Sequence, residues 1–224
     1  MQVTASRPAG ASAILFDLDG VLVDSSWAIA VSINRALVDA GRPAAAQSVI
    51  RGLIGMPLHD IFEWLGCGSG PALDEYVAAY RAEYELVAPS QTTVVAGVPD
   101  VLEALSRRHR LAVATTKPLE VARPILAGLG LDRFFAAIFG PSLAARSESK
   151  LITVSRAKEA LKPLESVALV GDRNFDVFAA RHANITAVGA LWGYGTRDEL
   201  RDAGAHVLVS EPEELLGIDF ARSA

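Results

Sequence analysis

Short apolar runs that alternate with amphipathic segments are the feature of this chain that most limits its fold. Each run is brief and mostly apolar, as expected of a strand that helices cover on both faces. The segments between the runs carry apolar residues at helical spacing. Strands that alternate with helices predict an α/β fold with a doubly wound, Rossmann-like parallel sheet. The predicted strands are 13–17, 110–115, 136–139, 166–170, 186–189 and 206–209, and the predicted helices between the later strands are 99–108, 119–129, 150–161, 174–182 and 197–203.

One interval, from residue 25 to residue 90, breaks this alternation. It contains no convincing strand, and its helical stretches over 27–40, 57–65 and 72–87 are separated by glycine and proline. The glycine-rich stretch 66–70 lacks the Lys-Ser/Thr ending of a phosphate loop and is interpreted as a linker. We therefore predict a catalytic core over 1–24 and 91–224, with a small all-helical cap over 25–90 inserted after the first strand. Hinges are expected near residues 24–25 and 91–97.

Composition and charge exclude several classes of protein. Hydrophobic residues make up 51% of the chain, but no apolar run approaches the roughly 18 residues of a membrane-spanning helix. The net charge of -5, with no long basic cluster, argues against nucleic-acid binding. The single cysteine, Cys67, excludes an internal disulfide and a zinc site with several thiolates. Residues 1–11 do not resemble a signal peptide, so we expect a cytoplasmic protein.

Pairs of acidic residues follow two of the predicted strands. Asp17 and Asp19 stand at the C-terminal end of the first strand and are followed by Gly20, and Asp172 and Asp176 follow the strand over 166–170 and Gly171. Sites in open α/β sheets form outside the carboxyl ends of the strands, so all four carboxylates are expected to converge there. Buried carboxylates need a compensating cation, and an all-oxygen set of ligands suits magnesium. The four histidines are scattered and are interpreted as structural or surface residues.

A candidate anion site follows another strand. Thr115 and Thr116 end the strand over 110–115, and Pro118 suits the first turn of the next helix. Hydroxyl groups beside a helix N-terminus can bind an anion such as phosphate. Lys150 begins a later helix and could add positive charge, but the residue pattern alone favours a solvent-exposed lysine.

Taken in order, these motifs resemble the haloacid dehalogenase-like hydrolase superfamily. The matching residues are Asp17-Leu18-Asp19-Gly20, Thr115, Lys150 and the segment 171–176, and they span nearly all of the sheet-forming chain. The helical insert and two segments near the C-terminus, 192–196 and 203–206, are similar to those of the phosphoglycolate phosphatase-like branch. Two details depart from the common pattern: Thr116 stands where Asn or Ser is usual, and no glycine shortly precedes Lys150.

The resemblance implies a magnesium-dependent phosphatase that hydrolyses a small phosphate monoester through an aspartyl-phosphate. It gives Asp17 the role of nucleophile and Asp19 that of general acid and base. Magnesium would be held by Asp17, by the backbone carbonyl of Asp19 and by Asp172, with Asp176 supporting its water ligands. Thr115, Thr116 and Lys150 would bind the phosphoryl group.

The same residues bear on alternative functions. Asp19 argues against a dehalogenase, and the absence of lysine between residues 25 and 90 argues against a phosphonate hydrolase. A phosphomutase, a nucleotidase or a pyrophosphatase stays open, and a non-catalytic binding module is the least favoured alternative. The expected partner is a small phosphorylated metabolite, and the chain could be a monomer or a homodimer.

Recognition of the leaving group is assigned to the cap. The loop at residues 55–57 interrupts its helices, so Arg51, Gly55 and His59, together with Gly52 and Met56, are expected to contact the substrate. For Arg51 and His59, a simple surface role is an equally good reading.

Overall fold

The computed structural model of the chain describes residues 12–145 and 148–220. Every predicted strand is confirmed, and each observed end lies within one residue of the predicted one. The strands are β1 (Ala13–Phe16), β2 (Val23–Asp24), β3 (Thr93–Val94), β4 (Arg110–Ala114), β5 (Ala137–Phe139), β6 (Val167–Gly171), β7 (Thr186–Ala190) and β8 (Val207–Val209). The pair β2 and β3 was not predicted, because two residues are too few to show an alternating pattern.

Six of these strands form one parallel sheet in the order β5-β4-β1-β6-β7-β8. The chain builds outward from β1 in one direction and then returns to add β6 on its other side. This reversal is the switch point at which open α/β sheets form their ligand crevice. The doubly wound, Rossmann-like fold is therefore confirmed, and its crevice lies at the carboxyl ends of β1 and β6.

Helices cover both faces of the sheet. The helices of the described chain are α1 (Ser26–Asp39), α2 (Gln47–Leu53), α3 (Leu58–Trp64), α4 (Asp74–Gln91), α5 (Val98–Ser106), α6 (Leu119–Gly128), α7 (Lys150–Ala160), α8 (Asn174–His182) and α9 (Arg197–Asp202). Side chains of β1 alternate between the faces, as the strand repeat requires. Ile14 and Phe16 pack with α5 and α6, whereas Ala13 and Leu15 pack with α7 and α8.

Helices α1 to α4 form a unit that we call the helical insert (residues 26–91). It has its own hydrophobic cluster, built around Ile33, Phe62 and Tyr84, and α1 packs along α4. Helix α2 was not predicted because it is short and contains Gly52, and α4 extends four residues past its predicted end. The separate domain predicted over 25–90 stays a prediction, and residues 1–11 and 221–224 of the predicted core lie outside the described residues.

The helical insert joins the sheet through a small antiparallel ribbon. Strand β2 enters the insert and pairs with β3, which leaves it, with Val23 opposite Val94. Both predicted hinges therefore lie on or beside this ribbon, although movement about them stays a prediction. Among the helices of the described chain, none has the length and apolar character needed to cross a membrane.

Candidate active site

Asp17 lies at the switch point, one residue beyond the end of β1. Its backbone N–H donates to the carbonyl of Val170 at 2.9 Å, which holds it beside the end of β6. The following turn closes through the backbone N–H of Gly20, which donates to the carbonyl of Val23 at 2.8 Å. Gly20 has φ of +87°, a left-handed conformation that glycine adopts most readily. The chain thus reverses directly after the strand and leaves the Asp17 carboxyl group in the crevice.

Three buried carboxylates meet at this point, and we call Asp17, Asp172 and Asp176 the carboxylate cluster. One oxygen of each lies within 4.8 Å of the others. Asp172 is fully buried; its Oδ2 accepts from the backbone N–H of Tyr194 at 2.7 Å, and its Oδ1 has no hydrogen-bond partner among the described residues. The Lys150 ammonium is 2.6 Å from Asp17 and 2.7 Å from Asp176. One ammonium therefore pairs with two of the three carboxylates.

The pKa values of the carboxylate cluster are shifted because its carboxyl groups are buried close to one another. Burial raises the pKa of Asp17 to about 6, although the neighbouring Lys150 acts in the opposite direction. Burial, followed by the charges of Asp176 and Asp17, holds the pKa of Asp172 well above its usual range. Burial alone would lower the pKa of Lys150, but the carboxylates beside it leave that pKa above its ordinary value. A bound cation would favour the ionised carboxylates.

The donor set determines which cations fit. The cluster offers carboxylate oxygens alone, with no histidine or cysteine among the grouped side chains of the described chain. Hard oxygen ligands suit magnesium, calcium or manganese rather than zinc or copper. The unpaired Oδ1 of Asp172 and the excess of negative charge are what such a cation would satisfy. The structure thus supports a metal-binding site here.

Three glycines shape the space around the carboxylate cluster. A Cβ atom on Gly20 would lie 2.3 Å from Oδ2 of Asp172, and one on Gly193 would lie 2.3 Å from its Cβ. A Cβ atom on Gly171 would lie 2.2 Å from the Cβ of Asp176. Real Cβ atoms do not come this close to their neighbours, so the two carboxylates can pack against these loops only where glycine stands.

Asp19 lies two residues beyond Asp17 and is held by other partners. Its carboxylate is not among the grouped oxygens of the carboxylate cluster, and its convergence with them stays a prediction. Lys117 donates to both Asp19 oxygens, at 2.9 and 2.7 Å, and the Ser25 hydroxyl donates to Oδ1 at 2.5 Å. These donors hold the carboxylate towards the cavity beneath the helical insert. The Asp19 backbone carbonyl stays a predicted metal ligand.

The predicted phosphate-binding residues lie around the same crevice. Thr115 follows β4 and is buried, and its Oγ1 accepts from the backbone N–H of Lys117 at 3.1 Å. The Thr116 hydroxyl donates to the carbonyl of Gly55 in the helical insert at 3.5 Å. Lys150 is 5% exposed, so the solvent-exposed reading of this lysine is wrong. Phosphate binding by these three residues stays a prediction.

The residues predicted for the cap do not all lie against the core. Arg51 donates to the carbonyl of Gly193 at 3.0 Å and stacks 4.6 Å above the ring of Tyr194. Gly55 contacts the core through Thr116. His59 instead pairs with Asp74 at 3.0 Å inside the helical insert, although it also lines the cavity.

Two residues of the crevice, Lys117 and Arg173, were not identified from sequence. Besides pairing with Asp19, Lys117 lies 4.8 Å from the ring centre of Tyr84 in α4. Arg173 donates to the carbonyls of Gly52, at 2.9 Å, and Ile54, and so ties the core to the helical insert. A lysine directly after two threonines at a strand end was a usable signal for Lys117. Arg173 is the residue after Asp172, but the sequence around it gave no sign of its role. That role depends on contacts with residues more than a hundred positions away in the sequence.

A cavity of about 480 Å³ lies between the helical insert and the core. Asp19, Thr116 and Lys117 line it from the core, whereas Met56 and Tyr84 line it from the insert. This cavity, which Asp19 lines, has room for a small organic molecule.

Comparison with known proteins places the chain in a family. The family model of the haloacid dehalogenase-like hydrolases matches residues 14–190. Tyrosine-protein kinase PtkA of Mycobacterium tuberculosis is 33% identical over 212 residues, which cover 92% of this chain and 72% of that protein. A phosphoglycolate phosphatase of Colwellia psychrerythraea is 30% identical over 213 residues, with coverage of 91% and 94%.

A solved structure agrees with this result. A haloacid dehalogenase-like family protein from Streptococcus pneumoniae superposes with a TM-score of 0.84 at 30% identity, covering 92% of this chain and 97% of that one. The similarity to a phosphoglycolate phosphatase along nearly its whole length agrees with the branch indicated by the motifs. This chain belongs to the haloacid dehalogenase-like hydrolase family.

Proposed function

We propose that this protein is a magnesium-dependent phosphatase that hydrolyses a small phosphate monoester through an aspartyl-phosphate on Asp17. The observation that carries the proposal is the carboxylate cluster, in which the Lys150 ammonium pairs with two of three buried carboxylates at the switch point. Burial of this excess of negative charge costs free energy unless a cation compensates it. Similarity to a phosphoglycolate phosphatase supports the same reaction class.

In this proposal, Asp17 attacks phosphorus. Its carboxylate oxygen forms a bond to phosphorus while the bond to the ester oxygen breaks. A carboxylate and a phosphate dianion repel each other, and the Lys150 ammonium beside Asp17 offsets part of that repulsion. Magnesium bound at the carboxylate cluster would supply further charge neutralisation on the phosphoryl oxygens. Thr115 and Thr116, at the end of β4, would donate hydrogen bonds to the same oxygens.

Asp19 would act as the general acid and then as the general base. It lines the cavity in which the leaving group would lie, and Ser25 and Lys117 hold its carboxyl group there. In the first step Asp19 would give a proton to the departing ester oxygen. In the second step it would take a proton from the water that attacks the aspartyl-phosphate and releases inorganic phosphate. Splitting hydrolysis in this way replaces one difficult displacement with two easier ones.

The helical insert would exclude bulk water and contact the leaving group. Arg51 and Arg173 tie the insert to the loops that carry Gly193 and Asp172, so its position is coupled to the site. Removal of water strengthens the electrostatic interactions between the phosphoryl group and the site. Movement of the insert about the β2–β3 ribbon would then admit substrate and release product.

The test is hydrolysis of para-nitrophenyl phosphate with and without magnesium. We expect release of nitrophenol by the wild-type protein with magnesium, and none above background after chelation or in the Asp17→Asn variant. The matched control is Asp60→Asn, which changes an exposed aspartate in the first turn of α3 and should keep the wild-type rate. Wild-type rates in Asp17→Asn, or turnover that does not depend on metal, would contradict the proposal.

A further inference from the structure

The cavity beneath the helical insert has largely apolar walls. Ile29, Met56 and Ile61 contribute from the insert, and Val121 and Ile125 contribute from α6. The walls also include two aromatic rings of α4 that stack on each other, with centroids 5.4 Å apart and planes inclined by 17°. A leaving group as small as glycolate would leave most of the 480 Å³ unfilled. The walls instead suit an apolar or aromatic body.

Two polar side chains of this wall have atoms without partners. The Nε of Arg81 and the hydroxyl of Tyr84 are buried and have no hydrogen-bond partner within the part of the chain that the structure describes. Both residues line the cavity, and they are three positions apart, so they share one face of α4. A buried donor left unpaired costs free energy, and such groups in native proteins usually have a partner.

The other charged groups of the cavity are already engaged or exposed. Lys117 pairs with Asp19. Glu120 accepts from the backbone N–H of Leu143 at 2.9 Å, and Glu148 accepts from Arg156 at 2.8 Å. Glu85, one turn beyond Arg81, is exposed to solvent, which screens its charge. The Arg81 guanidinium therefore gives the cavity an uncommitted positive charge.

We propose that Arg81 and Tyr84 bind an anionic group on the leaving portion of the substrate. The substrate class is then a phosphate monoester of an apolar or aromatic alcohol that carries a second negative charge, such as a carboxylate. This inference rests on the proposed phosphatase function and names the substrate class of the same site. Guanidinium groups pair well with planar carboxylates, and a tyrosine hydroxyl can donate a further hydrogen bond.

The test compares two aryl phosphates that differ in charge alone. One is a phosphorylated phenol with a propanoate chain in the para position, and the other carries propanamide in its place. The two leaving phenols have similar acidity because the substituent is separated from the ring by two methylene groups. We expect kcat/KM to favour the carboxylate by about tenfold or more, mainly through KM, since hydrogen bonds to charged groups are the strong ones. Adenosine monophosphate adds an aromatic substrate that has no second anion.

Variants connect this preference to the two side chains. Arg81→Gln should reduce the ratio of carboxylate to carboxamide to near one, Arg81→Lys should restore part of it, and Tyr84→Phe should reduce it to a smaller extent. The matched control is Arg35→Gln, which removes an exposed arginine of α1 that pairs with Asp39 and should keep the wild-type ratio.

The outcomes separate this inference from the function on which it rests. Equal kcat/KM for both aryl phosphates, or a wild-type ratio in Arg81→Gln, would overturn the inference while magnesium-dependent hydrolysis stood. A clear preference for adenosine monophosphate over the carboxylate would overturn it as well. If no ester were hydrolysed with magnesium, the proposed function would fail and the inference would fail with it.

Discussion

Replacement of the proposed nucleophile, Asp17, by asparagine should stabilise the metal-free protein and abolish hydrolysis. Burial raises the pKa of Asp17 from 3.8 to about 6, so the folded protein resists ionisation of this carboxyl group more than the unfolded chain does. A carboxyl group with a raised pKa contributes stability that is fully present below 3.8 and is lost as the pH rises through about 6. Asparagine carries no charge at any of these pH values, so the Asp17→Asn variant avoids the loss.

The magnitude follows from the two pKa values. The interval from 3.8 to about 6 corresponds to about 3 kcal/mol in the free energy of unfolding. The free energy of unfolding of Asp17→Asn should therefore exceed that of the wild-type protein by up to about 3 kcal/mol above pH 7. The difference should be about half of that at pH 5 and small near pH 4. The measurement is urea unfolding at these pH values with a chelator present throughout.

Asp24 provides a control in which the effect of pH on stability should have the opposite sign. Partial burial of Asp24 raises its pKa, but hydrogen bonds from Ser26 and Tyr194 outweigh this and leave the pKa of Asp24 lowered. Its contribution to stability is therefore present at neutral pH and is lost as the pH falls. Asp24→Asn should destabilise the protein at pH 8, and the difference should shrink in acid. An Asp17→Asn variant that is less stable than wild type at pH 8, or a gain that does not change with pH, would refute the reasoning.

Three further changes test the surroundings of the carboxylate cluster. Gly193→Ala should weaken magnesium binding at least about tenfold by forcing Asp172 to move, as titration calorimetry would show; unchanged affinity would contradict the packing. Lys117→Met removes the cation that pairs with Asp19 and should lower kcat about a hundredfold, within the range for general acid–base catalysis, as steady-state rates would show; an unchanged kcat would exclude a positioning role. Arg51→Ala should alter relative kcat/KM across a panel of phosphate esters more than the rate on para-nitrophenyl phosphate, whereas equal losses on every ester would place Arg51 in the core chemistry.

The sheet could be predicted from the sequence because each of its strands is a short apolar run with its own local signal. The same runs placed Asp17 and Asp172 at strand ends, and the topology of parallel sheets then brought them together at the switch point. Thr115 and Lys150 each stand at the boundary of a predicted element, but a site role for Lys150 came only from the resemblance to the family. Local pattern and global fold agree in this part of the chain.

Other features depend on contacts between distant segments and carry little local signal. The carboxylate of Asp19 is held by Lys117, which lies 98 positions away in the sequence. Arg173 reaches carbonyl groups 119 and 121 positions away in the helical insert. Lys150 seemed exposed from sequence because most lysines are, and its burial beside Asp17 and Asp176 depends on contacts between distant segments.

The central claim is that Asp17 becomes covalently phosphorylated during turnover. The most direct measurement is acid quenching of the protein during hydrolysis of para-nitrophenyl phosphate with magnesium, followed by peptide mass spectrometry. We expect one added phosphoryl group on the peptide that contains Asp17, localised to that residue, labile to hydroxylamine and absent from Asp17→Asn. A phosphoryl group on any other residue, or rapid turnover with no phosphorylated peptide in a time course that resolves the first turnover, would contradict the account.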